Sequence, residues 1–592
     1  MAHNLYYEDE KIESIDPHNI KRLLKYLKPY NIQVILGLLL MAVSTLANLF
    51  GPFLIKIAID SYIAVDDYQG LLMISLAYAA LLAINGVCIK YRVIIMSKTG
   101  HKVIRSIRKK LFEHIQKLSF GYFDSRPAGK IIVRVMNNVN SLQNLLENGL
   151  INIITDFFSV VVTLIFMFSL SYKLTLVTLI IMPILILIIF LLKKKIRITW
   201  RNVQKKNSNT NAYVHESLTG MKITQAFVRE NKNSNILKKL LTTYKKTWMK
   251  AVMLSHSVFP FVLIINTISI VLIYLVGIDY LTAGLITIGT LTAMLQYVWR
   301  LWQPIIRMAN FYNQLLITNS AAERIFAILD IEPDITDKKD AMILSDIDGE
   351  VEFDNVTFCY EEDDKILKNM NFKVKPGETI ALVGATGAGK STIINLITRF
   401  YEIDEGKILI DEENIQDVTI KSLRNQIGVM MQDTFIFSGT IMDNIKYGNL
   451  NASDEDVIRA AKTAHAHQFI KDMEDGYQTE VNERGSRLSV GQRQLISFAR
   501  TLLSDPAILI LDEATSSIDT QTEILVQKAT EAVLKGRTSF VIAHRLSTIR
   551  NADRIMVIED GEIIEIGSHE ELMQKKGHYY KLYQAQYNRI II

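Results

Sequence analysis

The sequence predicts a multidomain membrane protein: six transmembrane α-helices with long cytoplasmic extensions, followed by an α/β domain built around a phosphate-binding loop. Three observations predict it. Hydrophobic residues make up 49% of the 592 residues against 21% charged, and the mean hydropathy is +0.18, more apolar than a soluble chain of this size needs. That excess is concentrated in residues 30–315, whereas the sequence from about 340 onward is an ordinary soluble mixture. In that second part, "LVGATGAGKSTII" (382–394) sets a glycine-rich loop between a strand-like apolar run and a helical pattern.

Six apolar segments are each long enough to cross about 30 Å of hydrocarbon as helices: 32–60, 70–95, 148–169, 173–192, 252–277 and 286–312. The run "LTLVTLIIMPILILIIFLL" (174–192) is apolar on every face, which separates it from a buried helix of a soluble protein. The links at 61–69, 170–172 and 278–285 contain Asp66, Asp67 and Asp279 and no Lys or Arg. The other links carry Lys102, Arg105, Arg108, Lys109 and Lys110, or Lys193, Lys194, Lys195, Arg197 and Arg201. Basic loops stay cytoplasmic, so both termini and everything after residue 315 are expected in the cytoplasm of a multi-pass cell-membrane protein, a bacterial plasma membrane being the expected setting. "IKRLLKYLKPYN" before the first span is a basic amphipathic stretch suited to the inner interface. The cytoplasmic links 96–147 and 193–251 are too long for turns and are expected to be helical hairpins, reversing at "SFGYFDSRPAGK" (119–130) and near "HESLTGMKIT" (215–224). Such hairpins are suited to carry force between a cytoplasmic domain and the membrane.

The net charge of +5 is small for this length, and the Lys and Arg residues of the first half flank apolar runs, so membrane lipids and not nucleic acid are the expected partners. Cys88 and Cys359 make neither a disulfide framework nor a metal site. The acidic, polar N-terminus lacks the apolar core of a removable signal peptide. The expected organisation is a membrane domain over 1–315, a charged linker over 316–348 containing Pro333, and a nucleotide-binding domain over 349–592.

In the second domain, short strand-like runs alternate with helical patterns. Gly384, Ala385, Thr386, Gly387, Ala388, Gly389, Lys390, Ser391 and Thr392 form strand end, loop and helix start in the order a phosphate grip requires. Glycines let backbone N–H groups approach phosphate, the helix N-terminus adds its dipole, Lys390 can reach the β- and γ-phosphates of a nucleotide, and Ser391 suits Mg²⁺. "AILILDEATSSID" (507–519) is a buried strand ending in Asp512 and Glu513: the first carboxylate suits Mg²⁺ and the second suits a general base for the attacking water.

"LSVGQRQLISFAR" (488–500) resembles the signature motif of the ATP-binding cassette, and over the whole chain the arrangement is similar to a half-sized ABC exporter of the multidrug and lipid type. The resemblance implies that Tyr360 in "VTFCY" stacks on adenine, that Gln432 in "MMQDTFIF" contacts Mg²⁺ and the water, and that His544 in "VIAHRLS" lies near the γ-phosphate. It implies that Asp519 contacts a second cassette and that Ser489 and Gly491 serve a partner's nucleotide, so the chain is expected to pair with a second half-transporter. "TEVNERG" (479–485) resembles the exporter-type loop that meets the membrane hairpins, with Asn482 where the family often has Gly. "SVGQRQL" resembles the catalytically intact subunit of heterodimeric exporters, which tips the expectation slightly toward a heterodimer; Glu513, His544 and Gly491 are all present, and a homodimer is fully compatible. The implied function is ATP-driven efflux of amphiphilic substrates, drugs, lipids or peptides, by alternating access; a lipid flippase or an ATP-gated membrane protein without transport shares the architecture. A membrane-anchored kinase would use the same loop but has no need of "LSVGQRQ".

In the sixth span Gln296, Arg300, Gln303, Arg307, Asn310 and Gln314 are spaced four, three, four, three and four, which puts them on one helical face. Such groups are costly against lipid, so the stripe is expected to face a bundle interior or a water-filled substrate path. The structural alternative is that Arg300 pairs with Asp156 in the third span and Arg307 lies at the inner interface. Pro260 and Pro304 are expected to kink helices five and six.

Overall fold

The computed structural model describes residues 16–145, 149–360, 365–432, 434–482, 485–512, 520–542 and 546–587. The chain divides into two compact units, Met1–Gln116 with Ala128–Asp330, and Lys117–Pro127 with Ile331–Ile592.

The first unit is helical. A short helix, Pro17–Lys25, begins under an Asp16 cap whose carboxylate accepts from the His18 N–H at 2.8 Å. Its Arg22 donates to both oxygens of Asp330 at 2.6 and 2.7 Å and sits 4.2 Å from the centre of the Phe326 ring. The six expected spans fall on helices Asn31–Ile57, Tyr68–Ile115, Leu150–Leu170, Tyr172–Thr219, Val258–Thr282 and Ile288–Leu329. Among the described residues four stretches are long and apolar enough to cross a membrane, and Tyr172–Ile184 is a shorter apolar one. The sixth-span helix is not among the four, because Gln296, Arg300, Gln303 and Arg307 interrupt its apolar run.

The second and fourth of these helices are 48 residues long. At 1.5 Å per residue each is about 72 Å, more than twice the hydrocarbon thickness, so the long links are continuations of the spans. The sixth continues to Leu329, which makes the first part of the expected linker helical. Pro260 acts differently from the expected kink. It sits in the first turn of Val258–Thr282, and the preceding helix, Glu230–His256, stops at the residue whose carbonyl the proline ring would strike. Pro304 lies inside an unbroken helix. The spans meet in a core where Met167, Leu174, Ile273, Tyr297 and Leu301 are fully buried, with Phe166 stacked on Tyr297 at 5.7 Å between centroids.

The second unit is α/β. Its strands are β1 (Val351–Cys359), β2 (Lys365–Val374), β3 (Thr379–Val383), β4 (Glu405–Ile410), β5 (Glu413–Asn414), β6 (Ile427–Met430), β7 (Gly439–Thr440), β8 (Glu480–Val481), β9 (Ile508–Asp512), β10 (Thr538–Ile542), β11 (Arg554–Glu559) and β12 (Glu562–Gly567). One sheet has the order β12-β11-β3-β10-β9-β6, parallel except for the edge strand β12, and an antiparallel sheet has the order β2-β1-β4-β5. Ile508, Leu509, Ile510 and Leu511 are all buried, as expected for a strand covered on both faces. Two cores result. One gathers Val351, Ile380, Ala388, Ile393 and Ile510 beneath the phosphate loop. The other gathers Ile441, Val457, Leu488, Leu495 and Leu511.

Candidate functional site

The parallel register places Leu382, Ile542 and Asp512 in one row across β3, β10 and β9. The phosphate loop leaves β3 two residues beyond that row and turns into helix Lys390–Ile397. Open sheets of this kind present ligands at the carboxyl ends of their strands. Gly387 and Gly389 have φ of +87° and +105°, a backbone that suits glycine, and a side chain at Gly384 would collide with the Ile558 carbonyl. Lys390 folds back over the loop, its Nζ donating to the carbonyls of Gly384 at 2.9 Å and Ala385 at 2.8 Å. Burial lowers the Lys390 amine below its ordinary value, and the Asp512 carboxylate acts in the opposite sense. Ala385, Thr386 and Ser391 are exposed along the loop, while Ala388 and Thr392 are buried beneath it. A loop closed to side chains, with a cation on its rim and a carboxylate at the end of β9, one strand removed in the same sheet, fits a nucleotide triphosphate and a divalent cation.

Tyr360 follows β1 directly and is 44% exposed, leaving a ring face open to solvent. Its hydroxyl is 3.2 Å from Thr392 Oγ1 and accepts from Asn395 at 3.3 Å, so the ring is tied to the helix that begins at Lys390. Phe358 and Tyr401 meet it edge-on at 4.8 and 5.0 Å. Tyr401, which the sequence did not single out, extends further: its hydroxyl donates to Asp124 in the short helix Phe120–Asp124 at 2.6 Å. Burial first, and the Asp124 carboxylate next, push the Tyr401 phenol above its ordinary value. Beside it Phe120 stacks on Phe400 at 5.2 Å, and Ser119 donates to Asp334 at 2.6 Å. The only advance signal was the aromatic content of "SFGYFD" (119–124) and "RFY" (399–401), which periodicity does not pair.

Ser489 caps helix Val490–Ser504. Its Oγ accepts from the Gln492 N–H at 3.2 Å, and its own N–H donates to Gln492 Oε1 at 2.9 Å. Gly491 is buried in the first turn. This segment packs in the second core, apart from the phosphate loop's core, so the two motifs share no hydrophobic cluster. Gln432 is exposed, two residues past the end of β6. Glu513, Asp519 and His544 lie outside the described residues.

In the sixth span Gln296 and Gln303 are half-buried. Arg300 does not pair with Asp156: it donates to the carbonyl and side-chain oxygens of Asn48 in the first span. The partner of Asp156 is Arg307, at 2.6 and 2.9 Å, with Asp156 only 3% exposed. The register set by Phe166 on Tyr297 explains the correction. Ten residues along each antiparallel helix from that pair lie 156 and 307, not 300.

Known proteins match on the same layout. A family model described as the ABC transporter transmembrane region matches residues 34–304, and one described as ABC transporter matches 367–516. An uncharacterised ABC transporter ATP-binding protein of Bacillus subtilis, YknV, is 43% identical over 99% of this chain and 98% of its own length. A protein of Syntrophus aciditrophicus named ATP-dependent lipid A-core flippase is 36% identical over 96% of this chain and 94% of its own. The structure of a bacterial Atm1-family ABC exporter with ATP bound superposes with a TM-score of 0.79 at 29% identity, covering 95% of this chain and 98% of that one.

Proposed function

This chain belongs to the ABC transporter family as an exporter half-transporter that couples ATP hydrolysis to transport, and from that premise we propose that it moves amphiphilic drug-like or lipid-like molecules out of the cytoplasm or inner leaflet. Its architecture is that of a multi-pass membrane protein that works as a dimer. The setting we assign is a bacterial plasma membrane, with both termini and the cassette in the cytoplasm, membrane domain 1–315, linker 316–348 and cassette 349–592. The name of the Syntrophus relative supports placing lipids first among the substrates to test.

The observation that carries the reading is the Lys390 amine held over the phosphate loop beside the strand end that bears Asp512. In this reading Lys390 and the loop N–H groups of Gly384 to Thr392 grip the phosphates, and Tyr360 stacks on the base. Ser391, Gln432 and Asp512 would hold Mg²⁺, which neutralises phosphate charge when bound. Glu513 takes the proton of the attacking water, oriented with Gln432 and His544. Ser489, Gly491 and Asp519 serve the nucleotide across the dimer, a role supported by the separate core in which the Ser489 helix packs. Gln296, Arg300, Gln303 and Arg307 remain substrate-path candidates, and the ties of both arginines to other spans give them a bracing role beside it.

The test is turnover by the purified full chain in lipid. Glu513→Gln should bind ATP and close but lose orders of magnitude in hydrolysis, whereas Lys390→Ala should lose binding. Near-normal hydrolysis by Glu513→Gln would overturn the base assignment. Mixing Lys390→Ala and Ser489→Ala chains should restore partial activity in a homodimer, because both lesions fall in one of the two composite sites. A chain that never self-associates calls instead for a heterodimeric partner.

A further inference from the structure

The helix Glu230–His256, which leads into the fifth span, carries a stripe that no role above uses. Lys245, Lys246, Met249, Lys250 and Met253 recur at steps of one, three, one and three, which sets them on one helical face. They line an open groove of about 740 Å³ that continues to Leu254 and Ser257. Its wall is largely apolar: Lys245, Lys246 and Lys250 line it with their stems, with Met249 set among them, and the end formed by Met253 and Leu254 adjoins Val258, where the fifth-span helix begins.

Depth and charge are fixed by the neighbouring helix, Tyr172–Thr219. Its Trp200 donates through Nε1 to Ser255 Oγ at 2.9 Å on the opposite face of the helix from Met253, which sets an indole, a residue type that marks the membrane–water boundary, at the depth of the groove's end. No Asp or Glu occurs from Asn231 to Ile278, nor from Phe157 to His215. The carboxylates these two helices do carry, Glu230 and Glu216, lie at the ends remote from the fifth span, so the stretches beside the lysines have none.

We propose that this groove holds an anionic phospholipid of the cytoplasmic leaflet, with its phosphate on Lys245, Lys246 and Lys250 and its upper acyl chain along Met249 and Met253. The stripe suits such a lipid: its far end carries Lys245 and Lys246, its end at the fifth span carries Met253, and the Lys250 stem and Met249 lie between, so ammonium groups can reach outward to the headgroup layer over apolar stems. The proposal rests on the export reading only for the side of the membrane on which the groove lies.

Native mass spectrometry of the purified full chain, released from nanodiscs containing equal phosphatidylglycerol and phosphatidylcholine, counts the lipid retained. Phosphatidylglycerol should be retained over phosphatidylcholine by about tenfold or more, from three lysines near an anionic headgroup. Lys245→Gln/Lys246→Gln/Lys250→Gln should lose that preference, and the matching triple Arg variant should keep it. Lys238→Gln/Lys239→Gln, which removes two charges farther from the fifth span, should also keep it. Undiminished preference in the triple Gln variant overturns the proposal, as does loss of lipid to millimolar glycerol 3-phosphate, which would make this a site for a soluble phosphate. The readout needs no turnover: Glu513→Gln should retain lipid as wild type does. Failure of hydrolysis and failure of lipid binding are therefore separately visible.

Discussion

The two hairpins that extend the spans end in short helices of similar length, and their tips differ in what they meet. The first tip, Phe120–Asp124, belongs to the cassette unit: Phe120 stacks on Phe400, Asp124 accepts from Tyr401, and Tyr122 is 6% exposed. The second, Met221–Ala226 with the turn after it, presents Leu218, Ile223, Phe227 and Val228 at 63, 66, 69 and 78% exposure. Val228 also has φ of +51°, a conformation that costs a β-branched residue free energy. An exposed apolar cluster on a strained turn is expected where a surface awaits a partner. The difference teaches that the first tip finds its receptor within the chain, whereas the second leaves an apolar surface exposed.

The largest effect is expected from Phe227→Asp. If the second tip docks on a partner, a buried carboxylate there costs several kcal/mol and lowers substrate-stimulated hydrolysis about a hundredfold or more, with thermal unfolding of the chain unchanged. If the tip stays in water, the substitution falls within about 0.5 kcal/mol and activity is normal, which breaks the comparison. Next comes Phe120→Ala, which removes a stacked ring from a receptor already in place. About 2–3 kcal/mol of docking is lost, and hydrogen exchange over 119–127 should rise while basal hydrolysis persists. Unaltered protection would show that the stack does not hold the tip.

A smaller effect is expected from Tyr401→Phe, which deletes the bond to Asp124 and keeps the ring edge against Tyr360. Stimulated hydrolysis should fall a few-fold with the KM for ATP little changed. The same contact gives a pH signature. The Tyr401 phenol is raised in the folded chain, so its stabilising contribution is complete below the ordinary tyrosine pKa of about 10 and fades as pH rises above it. Alkaline exposure should therefore release the first tip, and Tyr401→Phe should abolish that dependence in hydrogen exchange. The smallest effect belongs to Ser119→Ala. Its exposed bond to Asp334 is worth at most about 1 kcal/mol, and transport should be within twofold of wild type. A larger loss would mean that the first tip depends on its rim as much as on its aromatic centre.

Legibility followed the range of the interaction. The phosphate loop was readable because glycine spacing, the preceding strand and the following helix lie within about a dozen residues, and local backbone chemistry dictates that order. The spans were readable because a run such as 174–192 is apolar on every face whatever packs beside it. Asp156 was singled out correctly as a partner for a sixth-span arginine, yet the choice between Arg300 and Arg307 depended on how two helices slide against each other, which the Phe166 and Tyr297 rings set. Pro260 was noticed, but its effect depended on where the preceding helix ended.

The sequence by itself determined what each segment is: membrane helices with long extensions, a phosphate loop between strand and helix, and a strand ending in Asp512. These are set by hydrophobic length, periodicity and backbone stereochemistry, which act over a few turns of chain. Only the tertiary structure decided which segments meet. Tyr401 joins Tyr360 to Asp124, 277 residues away, Arg307 takes Asp156, and Arg22 closes on Asp330. Such pairings depend on the relative register and rotation of whole helices and sheets, quantities set by packing across the core and carried by no local run of residues.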